Sequence, residues 1–117
     1  MCDRRDQATL ADIAAAAERV LDFVAGMDEQ AFLADRKTVS AVLHEVTVIG
    51  EAVKRLSPAF TEAHPEIPWR AVARMRDRLI HGYDRVDLQI VWQTTQESIP
   101  QLLRALEALL SSDPPEF

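Results

Sequence analysis

The sequence predicts an all-α fold, an up-and-down bundle of four long helices joined through short helical turns. Three observations predict it. Apolar residues recur at intervals of three and four over four long stretches. The chain has only three glycines, and its β-branched residues are scattered rather than gathered into runs that would mark a sheet. Aspartates and prolines stand where those stretches begin and end. With 117 residues, 48% of them hydrophobic, the chain can bury one core without staples. Residues 1–112 read as one helical domain and residues 113–117 as a frayed tail.

The first helix is expected over residues 9–25, with Leu10, Ile13, Ala14, Ala17, Val20, Leu21 and Val24 on its apolar stripe. Thr9 can cap its start, and Gly26 sits where a C-terminal glycine belongs. Asp28 can begin a helical turn over residues 29–33. Asp35 then caps a second long helix over residues 36–56, whose stripe is Val39, Val42, Leu43, Val46, Ile49, Val53 and Leu56. Gly50 falls inside that helix, where it costs about 1 kcal/mol against alanine; close packing on another helix is the plain reason for it. Pro58 stops the helix.

HPEIPW at 64–69 is a rigid connector, and Pro68 opens a third long helix that runs to residue 80 or 81, with Gly82 near its end. Asp87 can cap the last helix, which reaches residue 111 on a stripe of Leu88, Val91, Ile99, Leu102, Leu103, Leu106 and Leu110. Pro100 lies within it and should bend it.

A net charge of −6 argues against a general nucleic-acid coat protein. The distribution is more informative than the sum. Five arginines, at 70, 74, 76, 78 and 85, fall in one short segment opposed by Asp77 and Asp84 alone. Cys2 is the single cysteine, so no internal disulfide can form, and the first residues have no apolar leader. No stretch approaches the roughly 18 apolar residues of a membrane span. A cytoplasmic protein with no membrane association is expected. His44 and His64 have no partner at metal-ligand spacing, so no metal site is expected. There is no glycine-rich phosphate loop, no serine in a triad context, and nothing that calls for a cofactor.

The basic segment holds the one unusual constellation, RDRLIHGYD at 76–84. On an ideal helix of about 100° per residue, Trp69, Val72, Leu79 and Ile80 make an apolar stripe, and Arg76 projects into its middle. A cation there must be paired or line a cleft. A salt bridge to Glu45 or Glu51 on the second helix would satisfy it; so would a protomer interface or an active cleft. Asp77 stands four residues before His81 on the same face, where it can hydrogen-bond the imidazole and favour its protonated form. That pair could simply stabilise the helix end or could orient a general base. Tyr83 would ordinarily be a packing residue.

The run R-x4-H-x-Y, here Arg76, His81 and Tyr83, resembles the motif of HepT-like toxins in the HEPN superfamily. The likeness extends almost end to end: DRKT at 35–38, IGEAVKRLS at 49–57, HPEIPW at 64–69, MRDRLIHGYD at 75–84 and VDLQIVW at 86–92 match the family's usual pattern. Many relatives have Asn directly after the arginine, where this chain has Asp77. The resemblance implies a metal-independent endoribonuclease that forms a homodimer, with arginine and histidine of both protomers lining one cleft. It also implies an MNT-type nucleotidyltransferase antitoxin as partner, which transfers AMP to the tyrosine. Arg76 and His81 are then the catalytic pair, Asp77 a supporting residue and Tyr83 the AMP acceptor.

These residue types suit that chemistry. RNA carries its own nucleophile, the 2′-hydroxyl. Histidine can move its proton near neutral pH, and arginine can hold two phosphate oxygens without losing its charge. On an ideal helix Arg76 and His81 stand about 140° apart, so they meet only if Gly82 distorts the helix end, the arginine curls round, or a second protomer supplies the partner. Aspartate at 77 would repel phosphate but could raise the histidine pKa. The rival reading is a non-catalytic helical adaptor that dimerises and binds the nucleotidyltransferase without cutting RNA.

Overall fold

The computed structural model describes residues 4–82 and 85–111. Tyr83 and the tail at 113–117 lie outside the described residues. The elements are α1 (Arg4–Val24), α2 (Glu29–Ala34), α3 (Arg36–Val53), α4 (Pro58–Ala63), α5 (Trp69–Ala73), α6 (Met75–Leu79), α7 (Leu88–Gln93), a π-helical turn (Thr94–Ser98) and α8 (Ile99–Ser111). The fold is all-α, and among the described residues the one β feature is an isolated bridge between Ile80 and Val86. The expected count of four long helices does not hold. Only α1, α3 and α8 exceed six residues.

The scaffold is α1 packed against α3 and α8. Ile13, Ala16, Ala17 and Val20 of α1 meet Val42, Val46 and Ile49 of α3 and Ile99 and Leu106 of α8 in one core of fully or nearly fully buried side chains. Helix α1 is already formed at Arg4, before Thr9, and inside it Thr9 turns its hydroxyl back to the Arg5 carbonyl (3.0 Å) instead of capping. Asp6, buried in the first turn, instead accepts from the Ser57 amide at 2.9 Å and the Ser57 hydroxyl at 2.6 Å. That pair pins the start of α1 to the end of α3 across 51 residues of sequence.

Asp28 and Asp35 cap α2 and α3 as expected, by accepting from Ala31 and Thr38. Two bonds reach Asp35, from the Thr38 amide (3.1 Å) and the Thr38 hydroxyl (2.9 Å); they hold its carboxyl below the usual range, the amide bond most. Helix α3 ends at Val53, short of the expected residue 56 and before Pro58 is reached, so Pro58 is not its stop but the start of another helix. Ser57 Oγ accepts from Phe60 N at 3.2 Å, and Pro58 takes the first position of α4, where its missing N–H is harmless. Phe60 closes an aromatic cluster with His64 and Trp69 at 4.6 and 5.8 Å between centroids. Trp69 Nε1 donates to the His64 carbonyl at 2.9 Å, which fixes the HPEIPW connector onto α5.

The expected third long helix is broken at Arg74, whose φ and ψ of −99° and 5° lie outside the helical range. The Asp77 amide bonds back to Arg74, three residues away. The break lies where α3 comes closest: a Cβ on Gly50 would stand 3.0 Å from the Ala73 carbonyl oxygen, so a larger residue there would push the two apart. Helix α6 then ends at Leu79, not at residue 80 or 81. Ile80 is extended, the His81 amide donates to Arg85 O at 2.7 Å, and Asp87 N donates to Leu79 O at 2.9 Å. Gly82, at φ +76°, takes the left-handed conformation this turn requires.

Pro100 sits at the second position of α8, just past the π-helical turn. Without an N–H it cannot close a regular turn with residue 96, and the widened π turn absorbs the misfit. Of the expected stripe, Val91, Ile99, Leu102, Leu103 and Leu106 are buried, whereas Leu88 is exposed.

Candidate active site

Arg76 does not lie in the apolar stripe. The buried residues of α5 and α6 are Trp69, Val72, Met75 and Leu79, and the Arg76 side chain stands 47% exposed on the flank facing α3. Inclusion of Met75 shifts the stripe away from Arg76. Neither expected salt bridge forms. Glu45 is buried and paired with Arg19 at 3.1 Å, while Glu51 contacts Lys54 at 3.4 Å. Among the described residues Arg76 Nη1 reaches only its neighbour, Asp77 Oδ1, at 3.4 Å.

Arg76 and Asp77 open onto a hollow of about 240 Å3 formed with Thr47, Gly50, Glu51 and Lys54 of this face of α3 and with Ala73. The close approach at Gly50 creates it. No motif in the sequence assigns chemistry to Thr47 or Lys54; the signal available is IGEAVKRLS, a stretch marked by resemblance but without a recognised catalytic pattern.

His81 occupies different ground. Because the helix stops at Leu79, the expected i,i+4 geometry with Asp77 does not exist, and no hydrogen bond joins them. The imidazole is exposed and opens onto a hollow of about 440 Å3 with Leu33, Arg85, Val86, Asp87, Leu88 and Gln89. An adjoining hollow adds Arg36, Val39, Ser40 and Leu43 to the same Leu33, Val86 and Leu88. Val86 and Leu88 are among the most exposed large apolar residues described, at 38% and 36%. The chain therefore presents Arg76 and His81 to two separate hollows. The five arginines of the segment, at 70, 74, 76, 78 and 85, are all exposed. Positive charge is thus concentrated on the exposed surface of this segment. Among the described residues no group of three His, Cys, Asp or Glu side chains is placed to hold a metal ion, and no helix is long and apolar enough to cross a membrane.

Comparison with known proteins meets this geometry. A family profile described as ribonuclease HepT-like matches residues 13–109. A protein of Thermococcus cleftensis named as a probable ribonuclease HepT is 46% identical over 100 residues, covering 86% of this chain and 91% of that one. One from Methanocaldococcus jannaschii is 36% identical over 104 residues, covering 89% of this chain and 86% of its own. A third, from Caldanaerobacter subterraneus, is 35% identical over 96 residues, with 82% and 86% covered. The last two are named provisionally as RNases. No solved structure gives a significant match. The match spans both hollows and nearly every element, and on that ground the chain belongs to the HepT-like ribonuclease family.

Proposed function

We propose that the protein is a metal-independent endoribonuclease acting as a homodimer, in which Arg76 of one protomer and His81 of the other face one scissile phosphate. The observation that carries this reading is the separation of the two side chains: both are exposed, yet each opens onto its own hollow. Arg76 does not argue for a dimer as a misplaced core cation, since it is not in the core. The apolar face beside His81, made of Leu33, Leu43, Val86 and Leu88, supplies that argument instead, because an exposed apolar patch of this kind fits a protein contact.

In the reaction, His81 removes the 2′-hydroxyl proton, and the 2′-oxygen attacks the adjacent phosphorus. Arg76 holds the non-bridging oxygens, where negative charge grows. The bond from phosphorus to the 5′-oxygen breaks as that oxygen takes a proton from water, and His81 returns its own proton to solvent. The products are a 2′,3′-cyclic phosphate and a free 5′-hydroxyl. The test is cleavage of single-stranded RNA in excess chelator with end-group analysis. Cleavage with cyclic-phosphate ends supports the reading, and loss of cleavage in chelator contradicts it. The Arg76–Asp77 contact favours the adaptor reading, since it occupies the arginine; an intact dimer that cuts no RNA would establish that reading instead.

Control by an MNT-type nucleotidyltransferase belongs to the same proposal, with Tyr83 as AMP acceptor. AMP there adds about one negative charge and a bulky nucleoside two residues from His81, opposing RNA phosphate by charge and by volume. Tyr83→Phe should keep nuclease activity and gain no nucleotide mass when co-expressed with that enzyme. A Phe variant that gains as much mass as wild type removes Tyr83 from the role.

A further inference from the structure

The hollow beside Arg76 contains a second cation that the family motif does not include. Lys54, the residue that caps the end of α3, also lines it. Two cations thus approach one small polar space from two elements. Between them lie Gly50, which has no side chain, and Ala73, whose carbonyl oxygen turned toward Gly50 is an acceptor and gives an anion nothing. Thr47 also lines the hollow, but its hydroxyl proton is committed to the Leu43 carbonyl at 2.9 Å, so it has no donor to offer an anion. Any anion entering must be held by Lys54 and Arg76.

We propose that Lys54 is a second phosphate-binding residue of the RNA site, paired across the hollow with Arg76. This rests on the ribonuclease reading above. Each cation is covered by an acidic neighbour, Lys54 by Glu51 and Arg76 by Asp77, both at 3.4 Å. Those interactions are weak. The Glu51 and Asp77 side chains are 63% and 72% exposed, so water screens them and both can swing outward. A phosphodiester offers two oxygens at fixed spacing and makes stronger charge-assisted bonds than either carboxylate at its present distance. The hollow is therefore neutral when empty and becomes a two-cation clamp when phosphate displaces the carboxylates. This arrangement explains how an acidic protein can still grip RNA at one place. It also gives Asp77 a role, as a displaceable cover on Arg76 rather than a partner of His81.

The test measures binding of a labelled single-stranded 2′-O-methyl RNA, which cannot be cut because its nucleophile is blocked, between about 50 and 200 mM salt. The full-length protein is used, and circular dichroism checks each variant's fold. Removing one cation that pairs with a phosphate should reduce the slope of log affinity against log salt by about 0.7. Lys54→Met should lower the slope by that amount and weaken binding several-fold at low salt. Arg76→Met should do the same, Lys54→Arg should restore the slope, and Glu51→Gln should tighten binding. A purely structural lysine at the end of α3 would change stability but leave the slope unmoved. If wild type binds with a clear salt slope and both Lys54→Met and Lys54→Gln keep it while Arg76→Met loses it, Lys54 is not part of the site. If wild type shows no salt-dependent binding at all, the ribonuclease reading fails together with this one.

Discussion

The α1–α3–α8 scaffold and the segment from Arg74 to Asp87 are built by opposite rules. In the scaffold, charged groups that leave the surface are paired: Asp6 accepts two bonds from Ser57, and Glu45 holds Arg19. In the segment, short helical pieces and a glycine turn carry exposed arginines and an exposed histidine whose imidazole bonds to no described residue. Scaffold polar groups are committed to the fold, and segment polar groups are left available. The two regions meet where Gly50 admits the Ala73 carbonyl, so the scaffold fixes the arginine's position without contacting its charge. Substitutions in the two regions should therefore separate activity from stability.

The largest effect should come from His81→Ala. Loss of a proton-transferring group typically lowers the rate about 100- to 10,000-fold. Because the ring is exposed, the melting temperature should barely move. A cleavage assay with a matched thermal melt checks both; a stable variant that cuts at the wild-type rate would remove His81 from the site.

Asp6→Ala should show the reverse. It removes the buried acceptor of two Ser57 bonds and unpins α1 from the α3–α4 junction. Hydrogen bonds to a charged group contribute roughly 1.5–3 kcal/mol each, so loss of the two should destabilise by about 3–6 kcal/mol. Urea unfolding measures it. Cleavage well below the melting temperature should stay near wild type; a large loss of rate in the folded variant would mean that the scaffold acts on the chemistry directly.

Gly50→Ala sits on the boundary and should affect both. The alanine gains about 1 kcal/mol of helix propensity but presses on a backbone carbonyl, and overpacking of that kind costs about 1–3 kcal/mol. A net loss near 1 kcal/mol is expected, with a proportionally larger fall in cleavage, because α6 and Arg76 must shift. Unchanged activity would show that the close approach serves packing alone.

The smallest effect is the acid limb of stability. The Asp35 carboxyl is held below its usual value by Thr38. It therefore contributes stability that is present above about pH 4, the unfolded value, and lost as the pH falls through the lowered folded value. Asp35→Asn should flatten that part of the curve of unfolding free energy against pH without altering cleavage at neutral pH. A curve as steep as wild type would assign the acid limb to other carboxylates.

The same division governs what is legible in the sequence. The α1, α3 and α8 stripes, the Asp28 and Asp35 caps and the tight packing at Gly50 can be read because periodicity and capping are local and the core obeys them. The third helix departs from its expected length for a physical reason. Residues 69–80 carry no internal glycine or proline, so nothing local announces the break at Arg74, which lies where α3 packs closest. Helix-wheel angles for Arg76 and His81 inherit that error. Helix α4 is hidden when Pro58 is read only as a stop, although Ser before Pro is also a start. The motif names Arg76, His81 and Tyr83, but the separation of Arg76 from His81 into two hollows depends on tertiary packing that no local pattern encodes.

The central claim, that one protomer's Arg76 works with its partner's His81, is tested most directly by subunit mixing. Arg76→Ala and His81→Ala homodimers should each be inactive. After subunit exchange, a mixed dimer has one site with both residues replaced and one with both intact. Random mixing makes roughly half the dimers mixed, so activity should return to about a quarter of wild type by symmetry. If exchange is verified by mass and no cleavage returns, the two residues act within one protomer and the shared-cleft account is wrong.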